Sequence, residues 1–157
     1  MKQTSVLFVC LGNICRSPTA EAVFRSLLQQ DGRLDEVLVD SAGTGDWHIG
    51  KPPHGPAQRA AEAKGVDMSS LRARLVTPED FSRFDYVLAM DQLNLIDLQR
   101  MRPAGYTGTL GRLTDFDPNS RGQDVMDPYG GTPDDFASAF EHISQATRAF
   151  YQQLNRE

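Results

Sequence analysis

Apolar residues along the chain fall into four short runs that read as β-strands. The runs cover residues 5–10, 37–43, 86–90 and 109–113. The first run is short, continuous and rich in branched and aromatic residues, which is typical of a buried strand. The run at 109–113 is the weakest of the four. The pattern therefore predicts a sheet of four strands.

Helical periodicity and helix-start signals alternate with these strands. Helices are expected over about 18–30, 56–64, 92–102 and 132–154, with a further helix start at 77–80. Pro18 suits a first helical turn, and Glu21 is expected to add an acid to that turn. Thr77 and Thr132, each followed by proline, and Asp91 are the expected N-terminal caps.

The order of these elements predicts a single α/β domain over residues 1–157. Strands that alternate with helices build a parallel sheet covered by helices on both faces. We find no repeat, low-complexity segment or linker in the sequence. Ligands of such sheets bind beyond the carboxyl ends of the strands, near a topological switch point. The loop after the first strand is therefore the expected site.

Charge and cysteine usage restrict the possible functions. A net charge of −5 without a basic run argues against a nucleic-acid binder, so a bound anion needs a dedicated local site. Two cysteines, Cys10 and Cys15, are too few for a disulfide-stapled secreted domain. Residues 1–3 do not resemble a signal peptide, and the apolar run at 6–11 is too short to span a membrane. We expect a cytoplasmic monomer without a membrane partner.

The loop Cys-Leu-Gly-Asn-Ile-Cys-Arg-Ser at residues 10–17 has the properties of a phosphate site. A strand-loop-helix turn directs successive backbone N–H groups at one point and adds the positive end of the helix dipole. Gly12 permits backbone angles that other residues resist, and Asn13 tolerates the left-handed region. The predicted phosphate-binding residues are Leu11, Gly12, Asn13, Ile14, Cys15 and Ser17.

Cys10 and Arg16 would supply the reactive groups of this loop. The planar guanidinium of Arg16 can pair two phosphate oxygens, and the positive field favours the nucleophilic thiolate of Cys10. Ser17 could donate a hydrogen bond to the sulfur. A cysteine and an arginine at this spacing are common by chance. Taken alone, they would favour Cys10 as a small buried residue at the end of a strand. The preceding strand, the Gly-Asn pair, Ser17 and Pro18 together favour the functional interpretation.

The sequence resembles the low-molecular-weight protein tyrosine phosphatase family. Residues 9–18 look like its full signature and Asp-Pro-Tyr at 127–129 like its second, while segments 41–44, 47–48 and 72–74 match in order. The resemblance covers essentially the whole chain. It implies metal-independent, cofactor-free hydrolysis of phosphotyrosine in proteins and of small aryl phosphates.

The resemblance also assigns roles to single residues. It implies that Cys10 is the nucleophile, that Arg16 binds the phosphoryl group and that Asp127 is the general acid. By itself, Asp127 would read as a solvated turn residue, although Pro128 biases it toward an extended conformation. Trp47 and Tyr129 resemble the aromatic walls that hold the substrate ring, although Trp47 alone would read as a packing residue.

Other positions extend the resemblance or depart from it. Ser41 and Asn13 resemble a hydrogen-bond network behind the loop. Leu71 stands where the family often carries histidine, and Gly130 stands where many members carry a second aromatic residue. These departures put the completeness of the network and the recognition of the substrate in question. Cys15 is open to two interpretations, a core thiol or a partner that traps oxidised Cys10, and the resemblance favours the protective disulfide.

Competing functions are weighed against the same residues. An arsenate reductase of this fold would need further cysteines after Cys15, and the chain has none. Protein-arginine phosphatases resemble this loop but carry threonine at the position of Ile14, whose apolar side chain favours an aryl substrate. A non-catalytic phosphate-binding module would have no use for Asp127. The three histidines, His48, His54 and His142, lack metal-ligand spacing and are expected to be surface or packing residues.

Overall fold

The computed structural model describes residues 3–156, and its centre is a four-stranded parallel sheet in the order β2-β1-β3-β4. The strands are β1 (Thr4–Cys10), β2 (Val37–Gly43), β3 (Tyr86–Ala89) and β4 (Thr109–Arg112). The predicted sheet is confirmed, with strand ends shifted by at most one residue. A single 3-10 turn, Leu113–Phe116, follows β4 directly.

Within residues 3–156 there are five α-helices, of which four connect the strands and the last follows β4. They are α1 (Arg16–Gln30), α2 (Gly55–Glu62), α3 (Asp80–Arg83), α4 (Gln92–Met101) and α5 (Pro133–Leu154). The caps predicted at Asp91 and Thr132 are present, since Asp91 accepts from the Asn94 amide and Thr132 forms a capping box with Asp135. Within residues 3–156, no helix is both long and apolar enough to span a bilayer.

Two local predictions about helix starts are wrong. Thr77 caps no helix; instead, its backbone N–H donates to the buried carboxylate of Asp80, which also binds Arg74. α3 is limited to one turn because Phe84 already adopts the extended conformation that leads into β3. Glu21 does not lie in a first turn, since α1 begins at Arg16, and its carboxylate is buried.

Alternate side chains of β1 enter two separate cores, one on each face of the sheet. Val6 and Phe8 pack with α1, α2 and α5, whereas Leu7 and Val9 pack with α3 and α4. This alternation is the expected consequence of a central strand that is buried on both faces. Helices on both faces of the sheet are therefore confirmed.

The sheet order places the end of β1 at the switch point. β1 pairs with β2 on one side and with β3 on the other, and Cys10 lies opposite Gly43 at the carboxyl edge. A Cβ atom at Gly43 would lie 2.7 Å from the carbonyl oxygen of Leu11, so only glycine allows the loop after β1 to pass this closely. The fold therefore directs residues 10–16 into the crevice where ligands of such sheets bind.

Candidate active site

We call residues 10–17, which run from the end of β1 into the first turn of α1, the phosphate loop. Its backbone carbonyl groups accept hydrogen bonds from residues outside the loop. The carbonyls of Cys10, Leu11 and Ile14 accept from the amides of Thr44, Gly45 and His54, at 2.9, 2.8 and 2.8 Å. Within residues 3–156, the amides of Gly12, Ile14 and Cys15 have no hydrogen-bond partner. The loop therefore keeps amide donors available for an anion, as its position before a helix predicts.

Asn13 adopts the left-handed conformation, with φ of 57°, and its side chain is 3% exposed. The carboxamide donates to Ser17 Oγ at 2.7 Å and to Ser41 Oγ at 3.0 Å, and it accepts from the Arg74 amide at 3.0 Å. These contacts use both amide protons and the carbonyl oxygen. Leu71 is outside this network and packs against the apolar core.

The sulfur of Cys10 has two polar neighbours in the loop. The Asn13 amide donates to it at 3.3 Å, and Ser17 Oγ lies 3.0 Å from it. Because Ser17 Oγ already accepts from Asn13, its own proton is free to be shared with the sulfur; the alternative acceptor, the Ala42 carbonyl, is 3.4 Å away. Both neighbours can therefore donate a hydrogen bond to the sulfur.

Gly12 serves a different purpose from the one that its sequence position suggests. Its backbone is outside the left-handed region. A Cβ atom at Gly12 would instead meet the Cδ2 atom of His48 at 3.0 Å. Gly12 thus allows the imidazole to approach the loop closely.

Arg16 is almost fully buried and is fixed mainly by Asp91 and Val125, which the sequence does not place near it. Its Nη1 atom donates to Asp91 Oδ2 at 2.6 Å and to the Val125 carbonyl at 3.0 Å, and its Nη2 atom lies 3.6 Å from Asp127 Oδ2. Burial alone would lower the pKa of Arg16. The negative charge of Cys10, the hydrogen bond to Asp91 and the charge of Asp127 outweigh burial and raise that pKa.

Asp127 lies on an exposed turn opposite the phosphate loop. Its side chain is 43% exposed, and Oδ1 accepts from the Tyr129 amide at 3.1 Å. Gly130 completes the turn with φ of 80°, a conformation that side chains resist. The carboxylate and the Tyr129 backbone therefore share one short turn.

These elements surround a cavity of about 350 Å³. The cavity is lined by Cys10, Leu11, Gly12, Ile14, Cys15, Arg16, Trp47, His48, Asp127 and Tyr129. The residues Trp47 and Tyr129 are 64% and 56% exposed, and the Trp47 ring covers Gly45 so closely that a Cβ there would overlap it. Asn13, Ser17 and Ser41 lie behind the loop and not in the cavity lining.

A buried carboxylate continues the network behind the loop. Ser41 Oγ donates to Glu21 Oε1 at 2.7 Å, and Arg25 Nε donates to Glu21 Oε2 at 2.8 Å. Burial raises the pKa of Glu21, although the hydrogen bonds from Ser41 and Arg25 oppose this shift. Asn13 is thus connected through Ser41 to a charged pair within α1.

Cys15 lies in the same cavity as a second free, buried thiol. Burial, with the negative charges of Cys10 and Asp127, raises its pKa to about 12. It is therefore protonated at neutral pH, and it is not the nucleophile of the resting site.

The structure adds three residues that the sequence did not assign to the site. Asp91 was predicted only as a helix cap, yet its second oxygen binds Arg16. His48 lines the cavity, and His54 stacks on Tyr129. The lack of metal-ligand spacing predicts surface or packing roles for the histidines, which agrees with the packing of His54, but it does not indicate which rings they contact. Among residues 3–156, no group of three or more His, Cys, Asp or Glu side chains could hold a metal ion.

Comparison with known proteins assigns the family. The family described as low molecular weight phosphotyrosine protein phosphatase matches residues 5–157. The chain belongs to this family. A relative from Bacillus subtilis, the low molecular weight protein-tyrosine-phosphatase YfkJ, is 42% identical over 150 residues, which cover 96% of this chain and 92% of the relative. As a member of this phosphatase family, the chain is a hydrolase. Cys10 lies at the start of the phosphate loop.

Solved structures of the family share the whole fold. A protein tyrosine phosphatase from Entamoeba histolytica, with Hepes in its active site, has a TM-score of 0.91 and 32% identity and covers 98% of both chains. A Drosophila arginine phosphatase has a TM-score of 0.87 and 31% identity, covering 95% of this chain and 96% of its own. Since two activities occur on this fold, the choice of substrate depends on the side chains of the cavity.

Proposed function

We propose that this phosphatase removes phosphate from phosphotyrosine in proteins, and from small aryl phosphates, through a phosphocysteine at Cys10. The observation that carries the proposal is that the Cys10 sulfur, the Arg16 guanidinium and the Asp127 carboxylate line one cavity of about 350 Å³. A nucleophile, a phosphate-binding cation and a proton donor are the three groups that this reaction requires.

The reaction divides into two balanced steps. In the first, the Cys10 sulfur bonds to phosphorus, the bond from phosphorus to the phenolic oxygen breaks, and Asp127 gives its proton to that oxygen. In the second, Asp127 takes a proton from water, the water oxygen bonds to phosphorus, and the bond from sulfur to phosphorus breaks. Arg16 and the free loop amides stabilise the phosphoryl oxygens, and the hydroxyl of Ser17 stabilises the thiolate that leaves.

An aryl substrate suits the upper part of the cavity. Trp47 and Tyr129 present exposed rings above the phosphate loop, and Ile14 adds an apolar surface. Aromatic side chains of this kind bind a flat ring well. Phosphoarginine, with a cationic guanidinium, would gain little from Ile14, so phosphotyrosine is the favoured substrate.

Hydrolysis of p-nitrophenyl phosphate by the reduced protein in chelator tests the proposal. We expect turnover by the parent and none by Cys10→Ser. Asp127→Asn should slow phenyl phosphate far more than p-nitrophenyl phosphate, because the poorer leaving group depends more on the proton. A reduced parent that binds phosphate without turnover would show a phosphate-binding module instead.

A second arm compares phosphotyrosine with phosphoarginine. We expect the parent to prefer phosphotyrosine, and Ile14→Thr to reduce this preference. A parent that prefers phosphoarginine would assign the protein-arginine phosphatase activity instead.

We further propose that the protein works in the reducing cytoplasm, because the reaction needs Cys10 as a free thiolate. Peroxide would oxidise Cys10 to a sulfenic acid, and the thiol of Cys15 would displace water from it to form a disulfide. Oxidation also removes the charge of Cys10, which is one cause of the raised pKa of Cys15. The disulfide would protect Cys10 from irreversible oxidation.

A further inference from the structure

His54 does not line the substrate cavity, but its ring contacts Tyr129, which does. Its backbone N–H donates to the Ile14 carbonyl at 2.8 Å, which fixes this residue to the phosphate loop. The side chain precedes α2 without capping it, and within residues 3–156 it makes no hydrogen bond or ion pair. The ring is therefore held by packing alone.

The packing partners of His54 are two aromatic rings. It stacks on Tyr129, with ring centroids 5.0 Å apart and planes inclined by 28°. It also contacts Phe136, a buried residue of α5, at 5.8 Å. In the described part of the chain, the other ring against Tyr129 is His48, at the longer distance of 6.2 Å. His54 thus joins the exposed Tyr129 to a buried part of the fold.

We propose that His54 is a positioning residue that holds the Tyr129 ring as a wall of the aryl-binding cavity. This inference rests on the proposed function, since the wall matters only if an aryl group enters. An exposed tyrosine can rotate, and ordering it on binding would weaken affinity. Stacking on a residue that is itself bonded to the phosphate loop sets both the orientation of the wall and its distance from the phosphate.

The inference predicts a selective loss in His54→Ala. An aromatic pair changes a binding constant by about two- to tenfold, so aryl binding should weaken by that factor. The backbone N–H to Ile14 survives the substitution, so the phosphate loop and its affinity for inorganic phosphate should be kept. His54→Phe retains a flat ring and should restore aryl binding.

Fluorescence of Trp47, the single tryptophan of the chain, can report binding of phenylphosphonate and of inorganic phosphate. For His54→Ala we expect phenylphosphonate to bind about two- to tenfold more weakly, with phosphate affinity unchanged within about twofold. For His54→Phe, both affinities should equal those of the parent. Equal weakening of both ligands, or no recovery in His54→Phe, would overturn the inference.

A double-mutant cycle tests whether His54 acts through Tyr129. In a Tyr129→Ala background, His54→Ala should cause no further loss of phenylphosphonate affinity, whereas a fully additive loss would overturn the inference. Turnover of p-nitrophenyl phosphate by the parent separates the two proposals. A silent parent counts against the proposed function, while the binding measurements decide the role of His54 in either case.

Discussion

Replacing Asn13 by alanine and by glycine separates two contributions of this residue to the fold. Its carboxamide makes two buried hydrogen bonds, to Ser17 and Ser41, and a partly buried one with the Arg74 amide. Its backbone holds a φ of 57°. Both variants lose the hydrogen bonds, but only alanine is strained by the left-handed conformation.

The magnitudes follow from these contacts. Three hydrogen bonds at about 1 kcal/mol each make a loss of about 3 kcal/mol in the free energy of unfolding, common to both variants. Alanine in the left-handed region loses about 1–2 kcal/mol more. Glycine avoids this strain but loses about 0.4–1 kcal/mol through the greater freedom of its unfolded chain. From the middle of each range, we therefore expect Asn13→Gly to be more stable than Asn13→Ala by about 0.8 kcal/mol.

Urea unfolding of the reduced proteins measures both effects, provided that the m-values agree. Asn119 offers a matched control, because it is exposed and its φ lies outside the left-handed region. There the order should reverse, with glycine less stable than alanine. An Asn13→Ala variant as stable as Asn13→Gly would refute the assigned strain, and a common loss well below about 1 kcal/mol would refute the assigned hydrogen bonds.

Three further predictions concern the charges and thiols around the loop. Asp91→Asn keeps a helix cap but removes the carboxylate that binds Arg16, so kcat/KM for p-nitrophenyl phosphate should fall by about 10- to 100-fold; an unchanged value would mean that Arg16 needs no such partner. Burial raises the pKa of Glu21 in the folded protein above its ordinary value of 4.5. Protonation of Glu21 therefore stabilises the fold fully below pH 4.5, and this stabilisation is lost as the pH rises through the raised pKa. The free energy of unfolding of the parent minus that of Glu21→Gln should therefore be larger at pH 4.5 than at pH 7. A difference that grows toward neutral pH would contradict this sign. After prolonged exposure to excess peroxide, dithiothreitol should restore the parent but not Cys15→Ser, because without the disulfide the sulfenic acid of Cys10 oxidises further to a sulfinic acid that thiols do not reduce; equal recovery of the two proteins would contradict a protective disulfide with Cys10.

Elements with local causes could be predicted from the sequence. The second strand was predicted at 37–43, where the structure has it, because its apolar pattern and terminal glycine decide it locally. The length of α3 could not be predicted, since it depends on where the chain must become extended, at Phe84, to enter β3. Proline after Thr77 looks the same in sequence as proline after Thr132, and only the second lies before a long amphipathic helix.

Some residues of the site could likewise be predicted from the local sequence, and others could not. The phosphate loop is one continuous segment, so its chemistry is visible in the sequence. Asp91 is 75 positions from Arg16, and its carboxylate had already been assigned to capping α4. Nothing in the sequence around Asp91 indicates that its carboxylate also binds Arg16. His54 and Tyr129 are likewise joined only by the fold, so a pairing of their rings requires the tertiary structure.

The outward hydrogen bonds of the phosphate loop bear on protein design. Its carbonyls are bonded by amides of Thr44, Gly45 and His54, all in the segment that follows β2. The phosphate loop, residues 10–17, therefore cannot be transferred to another protein by itself. Grafted alone onto another strand-helix junction, its carbonyls would lose the donors that turn them away from the anion. A functional graft would have to carry residues 43–54 as well, together with a neighbouring strand to position them.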